Sequence, residues 1–457
     1  MASSLRFLAA LALCAAGTRA AARPDVFVFL TDQQRADALG SAGTAGVRTP
    51  ALDRLAREGV LFTRAFCAAP QCSPSRAALL TGRYPHRTGV VGNVEERGST
   101  AASAGMSSAL DPSIPTLGRV FAAAGYDTAY FGKWHLGGDP GDYGFALHDS
   151  GRPEDKTLSS RVRALLRKRA QSGAAKPLLV VASWLNPHEI YGVVDPPEHD
   201  PAAESAVALP KSLSDDLSGK PLPQRQFLDE DQGKPFRSYT ADDWRRYLVY
   251  YNRLVERVDR EIGEAIDEAR KTNPAALVLF SSDHGDLGGA HRLPFKGPAM
   301  YEELVRIPLI VSWPGKMSPS RCDAPVSNID FLPTLCELAG IAPPEQIDGR
   351  SLVPVLKGKG GERDVVFGEY YGKQSWRVPI RMVRTRTWKY VRYLRYGEEL
   401  YDLVADPDEM RNLAGNPAHE RTRAQLSALL DRFIGWSNDP FPGLSPTDRS
   451  GRPLGAV

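Results

Sequence analysis

At 457 residues, with 42% hydrophobic and 24% charged side chains, the chain has the composition of a soluble globular protein and is too long for one ordinary core. Its formal charge of +3 falls to +1 if the first 22 residues, which carry Arg6 and Arg19, are removed. So slight a basic excess argues against nucleic acid as a partner, and the composition excludes a disordered or membrane-embedded chain.

The N-terminus reads as a signal peptide, residues 1–22. Arg6 precedes an apolar run over 7–16, and small residues follow through Ala20, Ala21 and Ala22, where cleavage is expected. The run is too short to span a bilayer, so the mature chain is expected to lack a transmembrane segment and to be exported to the periplasm or the medium. Cys14 offers lipid attachment as an alternative, but Leu13 stands where a small residue would be expected.

Next come four short apolar runs, each ending at polar residues. Residues 25–30 lead into Thr31, Asp32, Gln33 and Gln34, and 128–131 into Gly132, Lys133, Trp134 and His135. Residues 178–185 lead into Asn186, Pro187 and His188, and 276–280 into Ser281, Ser282, Asp283, His284, Gly285 and Asp286. Unbroken apolar runs suit strands buried on both faces of a mainly parallel sheet. Helical spacing appears between them, over 116–124 (Leu117, Val120, Phe121) and 244–271 (Leu254, Val258, Ile262, Ile266). The pattern predicts an α/β fold with helices on both faces, in which ligands bind beyond the carboxyl ends of the strands. All four polar clusters then open onto one rim. Residues 189–240, rich in Pro, Asp and Ser without periodicity, are predicted to be a substrate-facing loop. Beyond Tyr371 the character changes. Residues 380–383 and 388–394 read as antiparallel strands and 421–434 as a closing helix, giving a small α+β domain over 376–457 after a catalytic domain over 23–375.

Four cysteines remain once Cys14 leaves: Cys67, Cys72, Cys322 and Cys336, too scattered for a disulfide framework. Cys322 and Cys336 could pair, or Cys336 could be a free buried thiol. Cys72 stands apart because Pro74 suits the first turn of a helix that Ala77, Ala78, Leu79 and Leu80 propagate. That puts Cys72 at a helix N-terminus, where free N–H groups favour an anion, with Arg76 one turn on and able to reach it. On physical grounds alone this is an activated thiolate.

The run from Cys72 through Ser73, Pro74, Ser75, Arg76, Ala77, Leu79, Thr81, Gly82 and Arg83 resembles the signature of type I sulfatases, whose cysteine is oxidised to formylglycine. The resemblance extends to the first strand with its acidic turn, to Gly132 through Gly137, and to Ser282 through Gly285. In the small domain it takes in Glu399 through Leu403, Asp406-Pro407 and Asn412-Leu413. It implies the alkaline phosphatase superfamily fold, with a large mainly parallel sheet and a smaller C-terminal domain carrying an antiparallel sheet.

By that resemblance, Asp32, Gln33, Asp283 and His284 ligate a divalent cation, usually calcium, together with the formylglycine made from Cys72. Gln33 departs from the commoner aspartate, so cation binding is expected to be weaker than in an Asp-Asp member. The resemblance further implies that a hydroxyl of the hydrated aldehyde, activated by metal and Arg76, attacks sulfur. His188 with Lys296 contacts the sulfate and protonates the leaving oxygen; Lys133 and His135 hold the hydrate, and His135 takes the proton when sulfate is expelled. A sulfatase-maturing or formylglycine-generating enzyme is the implied partner, and a sulfated carbohydrate or glycosaminoglycan fragment the favoured substrate over small aryl or choline sulfates. Phosphonate monoester or phosphodiester hydrolysis is the nearest alternative, and a non-catalytic binding protein or a sulfo transferase a more distant one.

Each site residue also has a plainer reading: Cys72 as a packed thiol, Asp32 and Asp283 as helix caps, Lys296 as a solvated charge. His86 reads as structural or as a rim residue, and His291 as a further loop histidine. Trp184, Tyr250, Tyr251 and Trp313 read as core.

Overall fold

The apolar runs become strands because both of their faces find a core. In the computed structural model, which describes residues 23–94, 107–149, 155–197, 199–361, 363–373 and 375–454, the expected signal peptide and Cys14 lie outside the described residues. Nine strands form the large sheet: β1 (Val26–Asp32), β2 (Val60–Phe66), β3 (Asp127–Gly132), β4 (Leu147–His148), β5 (Leu178–Pro187), β6 (Leu277–Ser282), β7 (Arg306–Ser312), β8 (Ser320–Cys322) and β9 (Val326–Ser327). Their order is β4-β3-β5-β1-β6-β7-β2-β8, with β9 also beside β2. The run from β4 to β6 is parallel, and β7 is antiparallel to both its neighbours.

Strand β1 shows why the pattern is continuous. Val26, Val28 and Leu30 enter one core and Phe27 and Phe29 the other, so alternate side chains serve opposite faces. The helix Ala241–Thr272 covers the Phe27–Phe29 side with Val258, Ile262, Ala265 and Ile266. A Thr240–Asp243 capping box starts it. Register then sets the rim: Asp32 pairs with Pro187 and Thr31 with Ser282, so Asp32, His188 and Asp283 emerge side by side.

A second sheet is an antiparallel meander of β10 (Val365–Lys373), β11 (Trp376–Thr385), β12 (Trp388–Tyr393) and β13 (Gly397–Asp402). It begins at Val365, so β10 precedes the position 375/376 at which the sequence pattern changes. The helix Glu420–Ser437 packs on it through Leu430 and Phe433, the latter stacked on Phe367 at 4.1 Å. Among the described residues Cys67, Cys72, Cys322 and Cys336 form no disulfide with one another, so Cys322 and Cys336 do not pair. Among the described residues no helix is long and apolar enough to cross a membrane.

The segment 189–240 is not the irregular loop its composition suggests. It contains the helices Pro201–Ala206 and Leu222–Glu230 and several single turns. Its prolines start elements rather than break them: Pro201 follows Asp200, whose carboxylate caps Ala202 and Ala203, and Pro223 sits in the first turn of its helix. These helices are too short for a periodic signal.

Buried charge ties the small sheet to its surroundings. Asp439, after the C-terminal helix, accepts two hydrogen bonds from Arg381 of β11, with both side chains fully buried. His86 Nδ1 lies 2.6 Å from Glu369 Oε1, and its Nε2 3.1 Å from the Ser437 carbonyl. Both ring nitrogens thus face acceptors, which is satisfied only by the imidazolium, and His86 is structural. Burial lowers its proton affinity, but the bond to Glu369 and that carboxylate's charge outweigh this and raise it above the ordinary histidine value. A raised folded-state pKa contributes stability that is fully present below the unfolded value and lost as pH rises through the folded one. His86→Gln is therefore expected to cost about 1–3 kcal/mol at pH 6 and progressively less towards pH 9. Urea unfolding of both proteins across that range checks it, and a difference independent of pH would refute the charged pairing.

Candidate active site

Five strands deliver their carboxyl ends to one cleft. Four were legible as apolar runs; the fifth, β2, feeds the turn before Cys72. The helix Cys72–Thr81 is buried along its whole length, so its first turn is fixed against the sheet. Gln71 Nε2 donates to the Gly372 carbonyl at 3.0 Å, tying that turn to the small sheet. Strand-end backbone is correspondingly tight. Gly132, at φ 95°, leaves no room for a Cβ, which would lie 2.1 Å from the Ser183 carbonyl oxygen. Gln33 and His135 adopt left-handed φ of 70° and 57°, strained for residues with a side chain.

Two fully buried carboxylates, Asp32 and Asp283, face each other across this cleft. Arg76 joins them, Nη2 lying 3.0 Å from Asp32 Oδ2 and Nε 3.0 Å from Asp283 Oδ2. Its Nη1 donates to the Lys133 carbonyl and Ser183 Oγ at 2.9 and 2.7 Å. Arg76 is thus committed to the carboxylates and the strand ends rather than pointing freely at an anion, which differs from the reading of its position one turn into the helix.

The Cys72 sulfur lies 3.3 Å from His284 Nε2, 3.8 Å from Asp32 Oδ1, 3.0 Å from Lys296 Nζ and 3.7 Å from Lys133 Nζ. His188 Nε2 lies 3.8 Å from Asp32 Oδ1, and His135 is near enough to favour the thiolate. Burial pushes the thiol up, but Lys133, Lys296 and His284 outweigh burial and hold it well below the ordinary thiol range. Burial and the Cys72 charge act upward on Asp32 too, and Lys133, His188 and Lys296 carry it below the carboxylate range. Asp283 goes the other way, raised by burial and by Asp32 against the pull of His284 and Arg76. His188, at the mouth with 22% of its side chain exposed, is pushed down to about 4 by burial and the Lys133 and Lys296 charges.

Whether this set fits a cation is decided by its donors. One ligand atom each from Asp32, Cys72, Asp283 and His284 lies within 4.8 Å of every other. His284 Nδ1 donates to the Gly285 carbonyl at 2.8 Å, which leaves the Nε2 lone pair facing the cluster. Gln33 joins through its carbonyl: Nε2 donates to Asp286 Oδ2 at 2.6 Å, so Oε1 points inward. The Lys296 ammonium lies 3.1 Å from both Gln33 Oε1 and His284 Nε2. Oxygen-rich donors around one point, two of them carboxylates, fit a divalent cation.

Three residues behind this set were not singled out as site residues. Asp286, fully buried, accepts from Gln33 and from the Tyr247 hydroxyl at 3.1 Å, and burial raises it to about 6. Tyr251 donates to the Gln33 carbonyl at 2.8 Å, so this core aromatic also supports the site. Only the polar cluster after β6 hinted at Asp286; the tyrosines carried no signal beyond helical spacing. His291 is also buried, paired with Asp215 at 2.7 Å and stacked on Tyr301 at 3.6 Å. Lys296, a solvated charge on its own reading, is buried in the cage. Trp184 is core, as read.

Such a cage at the strand ends of a mainly parallel sheet defines a hydrolase of the alkaline phosphatase superfamily. The Sulfatase family model matches residues 24–341, and the N-sulphoglucosamine sulphohydrolase C-terminal model matches residues 289–434. The chain belongs to the sulfatase family and is a sulfuric ester hydrolase. It is 30% identical to a Delta 4,5-hexuronate-2-O-sulfatase of Bacteroides thetaiotaomicron, over 95% of this chain and 93% of the other. Among solved structures, a 2-O GAG sulfatase superposes with a TM-score of 0.82 at 28% identity, covering 94% of this chain and 96% of that one. A phosphonate monoester hydrolase of Agrobacterium radiobacter shares the fold, with a TM-score of 0.74 at 23% identity over 95% and 100% of the two chains.

Asp286 alters the expectation for Gln33. The negative charge missing from position 33 lies one contact further back, and an aspartate there would confront Asp286 and Asp283. Gln33→Asp is therefore expected to destabilise the metal-free protein by about 1–3 kcal/mol, with Asp286→Asn restoring most of the loss. Denaturant unfolding in EDTA reads this directly. A Gln33→Asp variant as stable as the parent in EDTA, and binding calcium more tightly, would show that the simple charge count was right.

Proposed function

We propose that this chain releases inorganic sulfate from a sulfated carbohydrate, through a formylglycine made from Cys72 and one divalent cation, calcium by preference. The observation that carries the reading is the convergence of Lys133, Lys296 and His284 on the Cys72 sulfur, above two buried carboxylates, with His188 3.8 Å from Asp32 at the mouth. Sγ here occupies the place of the aldehyde-derived oxygen.

Asp32, Gln33, Asp283 and His284 would hold the cation. It supplies Lewis acidity towards the sulfate and the nucleophile, while the hydrated aldehyde supplies a second hydroxyl that makes attack by water unnecessary. Replacing a thiolate by a neutral aldehyde also removes one negative charge from the cage, which frees Lys296 for sulfate oxygens and leaves Lys133 paired with Asp32 at 2.6 Å. Arg76 keeps both carboxylates ionised and in place. His188, at the mouth, is positioned to hold a proton for the leaving oxygen. Burial and the charges of Lys133 and Lys296 depress its proton affinity, and a bound sulfate would offset the lysine contribution. His135, whose Nδ1 has no hydrogen-bond partner among the described residues, would take a proton from the Cys72 position.

The carbohydrate assignment rests on the hexuronate 2-O-sulfatase and 2-O GAG sulfatase likenesses, and export through residues 1–22 accords with an extracellular polymer. A maturing enzyme that oxidises Cys72 is the implied partner. Phosphonate monoester hydrolysis is the second reading, favoured by the shared fold alone.

Made in cells that convert a control sulfatase, the Cys72 peptide is expected to lose about 18 Da on replacement of thiol by aldehyde. The converted enzyme should prefer 4-nitrophenyl sulfate over bis(4-nitrophenyl) phosphate by about tenfold or more in kcat/KM, and Lys296→Ala should lose about 100-fold. An unmodified Cys72 in such cells, or a preference for the diester, would overturn the proposal.

A further inference from the structure

The mouth of the cleft holds a cation that the proposed reaction does not use. Lys373, at the end of β10, donates to the Tyr191 hydroxyl and to Gln232 Oε1. Its Nζ also lies 4.8 Å from the centroid of the Tyr191 ring. Both acceptors are neutral, and an ammonium has three N–H groups, so one remains for a ligand. The acids nearest in sequence to Gln232 are turned elsewhere: Glu230 and Asp231 lie 3.3 and 3.7 Å from Arg449.

Two independent links place this cation beside the sulfate cage. The Tyr191 ring stacks on His188 at 5.2 Å, and Lys296 Nζ, 3.0 Å from the Cys72 sulfur, lies 5.2 Å from the same ring centroid. From the other direction, Gln71, the residue before Cys72, is hydrogen-bonded to Gly372, the residue before Lys373. One aromatic ring therefore separates the lysine that would bind sulfate from a second, half-buried lysine. Tyr191 and Gln232 come from opposite ends of the segment 189–240 and Lys373 from the small sheet, so parts of the chain far apart in sequence build one feature.

Resting on the saccharide-sulfate reading above, we infer that Lys373, with Tyr191 and Gln232, is a subsite for a second anionic group on the same sugar, a carboxylate or a further sulfate. Half-burial weakens the water that would otherwise solvate the ammonium, and a charged acceptor gives a stronger hydrogen bond than a sugar hydroxyl. A cation left facing a neutral group on binding would cost affinity, so the site rejects neutral sugars as well as attracting charged ones.

The test uses methyl glycosides sulfated at O2, and a second series sulfated at O3, that carry a carboxylate, a sulfate or a hydroxyl at position 6. Each is measured as substrate, by sulfate release, and as competitor of 4-nitrophenyl sulfate hydrolysis, with converted wild type, Lys373→Met and Lys373→Arg. Wild type is expected to favour a charged position 6 over hydroxyl by about tenfold in kcat/KM or inhibition constant, Lys373→Met by under about threefold, and Lys373→Arg about as wild type. A ratio taken within one preparation does not depend on the fraction folded, so a merely structural role for Lys373 would leave it unmoved. Carboxylate preferred over sulfate, or the reverse, identifies the anion. Equal handling of charged and neutral sugars by wild type, or a preference that Lys373→Met retains, overturns the subsite while the saccharide reading stands. Release of sulfate from 4-nitrophenyl sulfate with neither turnover of, nor inhibition by, any sugar overturns that reading and the subsite with it.

Discussion

Everything at the cleft depends on one arginine between two buried carboxylates. Asp32 and Asp283 end two adjacent strands, both inaccessible to water, and two such charges cannot stay ionised at close range without a cation between them. Arg76 supplies that cation from the helix that Cys72 begins. Its bonds to both carboxylates, to Ser183 and to the Lys133 carbonyl therefore fix the helix against four strands at once. Removing one member of a buried network of this kind costs about 3–5 kcal/mol, because the others are left unpaired. The same bonds decide where the Cys72 side chain can be, so the position of the Cys72 sulfur follows from a stability requirement.

A second layer keeps the donors aimed inward. Gln33 could present either amide atom, and Asp286 selects the carbonyl by accepting from the nitrogen. His284 could present either ring nitrogen, and the Gly285 carbonyl selects Nε2. Tyr247 and Tyr251, from one long helix, hold Asp286 and the Gln33 backbone in turn. The left-handed backbone at Gln33 is held by these contacts, which over-determine it. Preorganised groups need no rearrangement when charge develops in a transition state, which is the main electrostatic advantage of such a site.

How much of this was legible follows from the range of each interaction. Strands buried on both faces leave unbroken apolar runs, so β1, β3, β5 and β6, and the polar residues after them, could be read directly. Strand β2 escaped because Thr63 and Arg64 interrupt its run, at the point where its pairing with β7 shifts register. The cage residues were found through local motifs, since Cys72, Pro74 and Arg76 lie within one turn and a half of helix. Asp286, Tyr247, Tyr191, Gln232 and Lys373 were not, because each acts through a partner dozens or hundreds of residues away. The helices of the segment 189–240 are too short to show a period, and their prolines look like breakers until the caps are seen.

That division has a functional side. The groups around Cys72 sit on strand ends and one buried helix, where packing on both sheet faces leaves little freedom. Tyr191, Gln232 and Lys373 are only partly buried and come from a turn, a short-helix segment and a hairpin end. Substitution there disturbs little packing, whereas any change to Asp32, Arg76 or Asp283 unbalances charge in a water-free core. Chemistry and recognition therefore tolerate change to different degrees within one cleft. The bond from Gln71 to Gly372 is what keeps them in register, because it anchors the hairpin that carries Lys373 to the turn that carries Cys72. A fold arranged this way can exchange one sulfated substrate for another at its mouth without moving the atoms that break the ester.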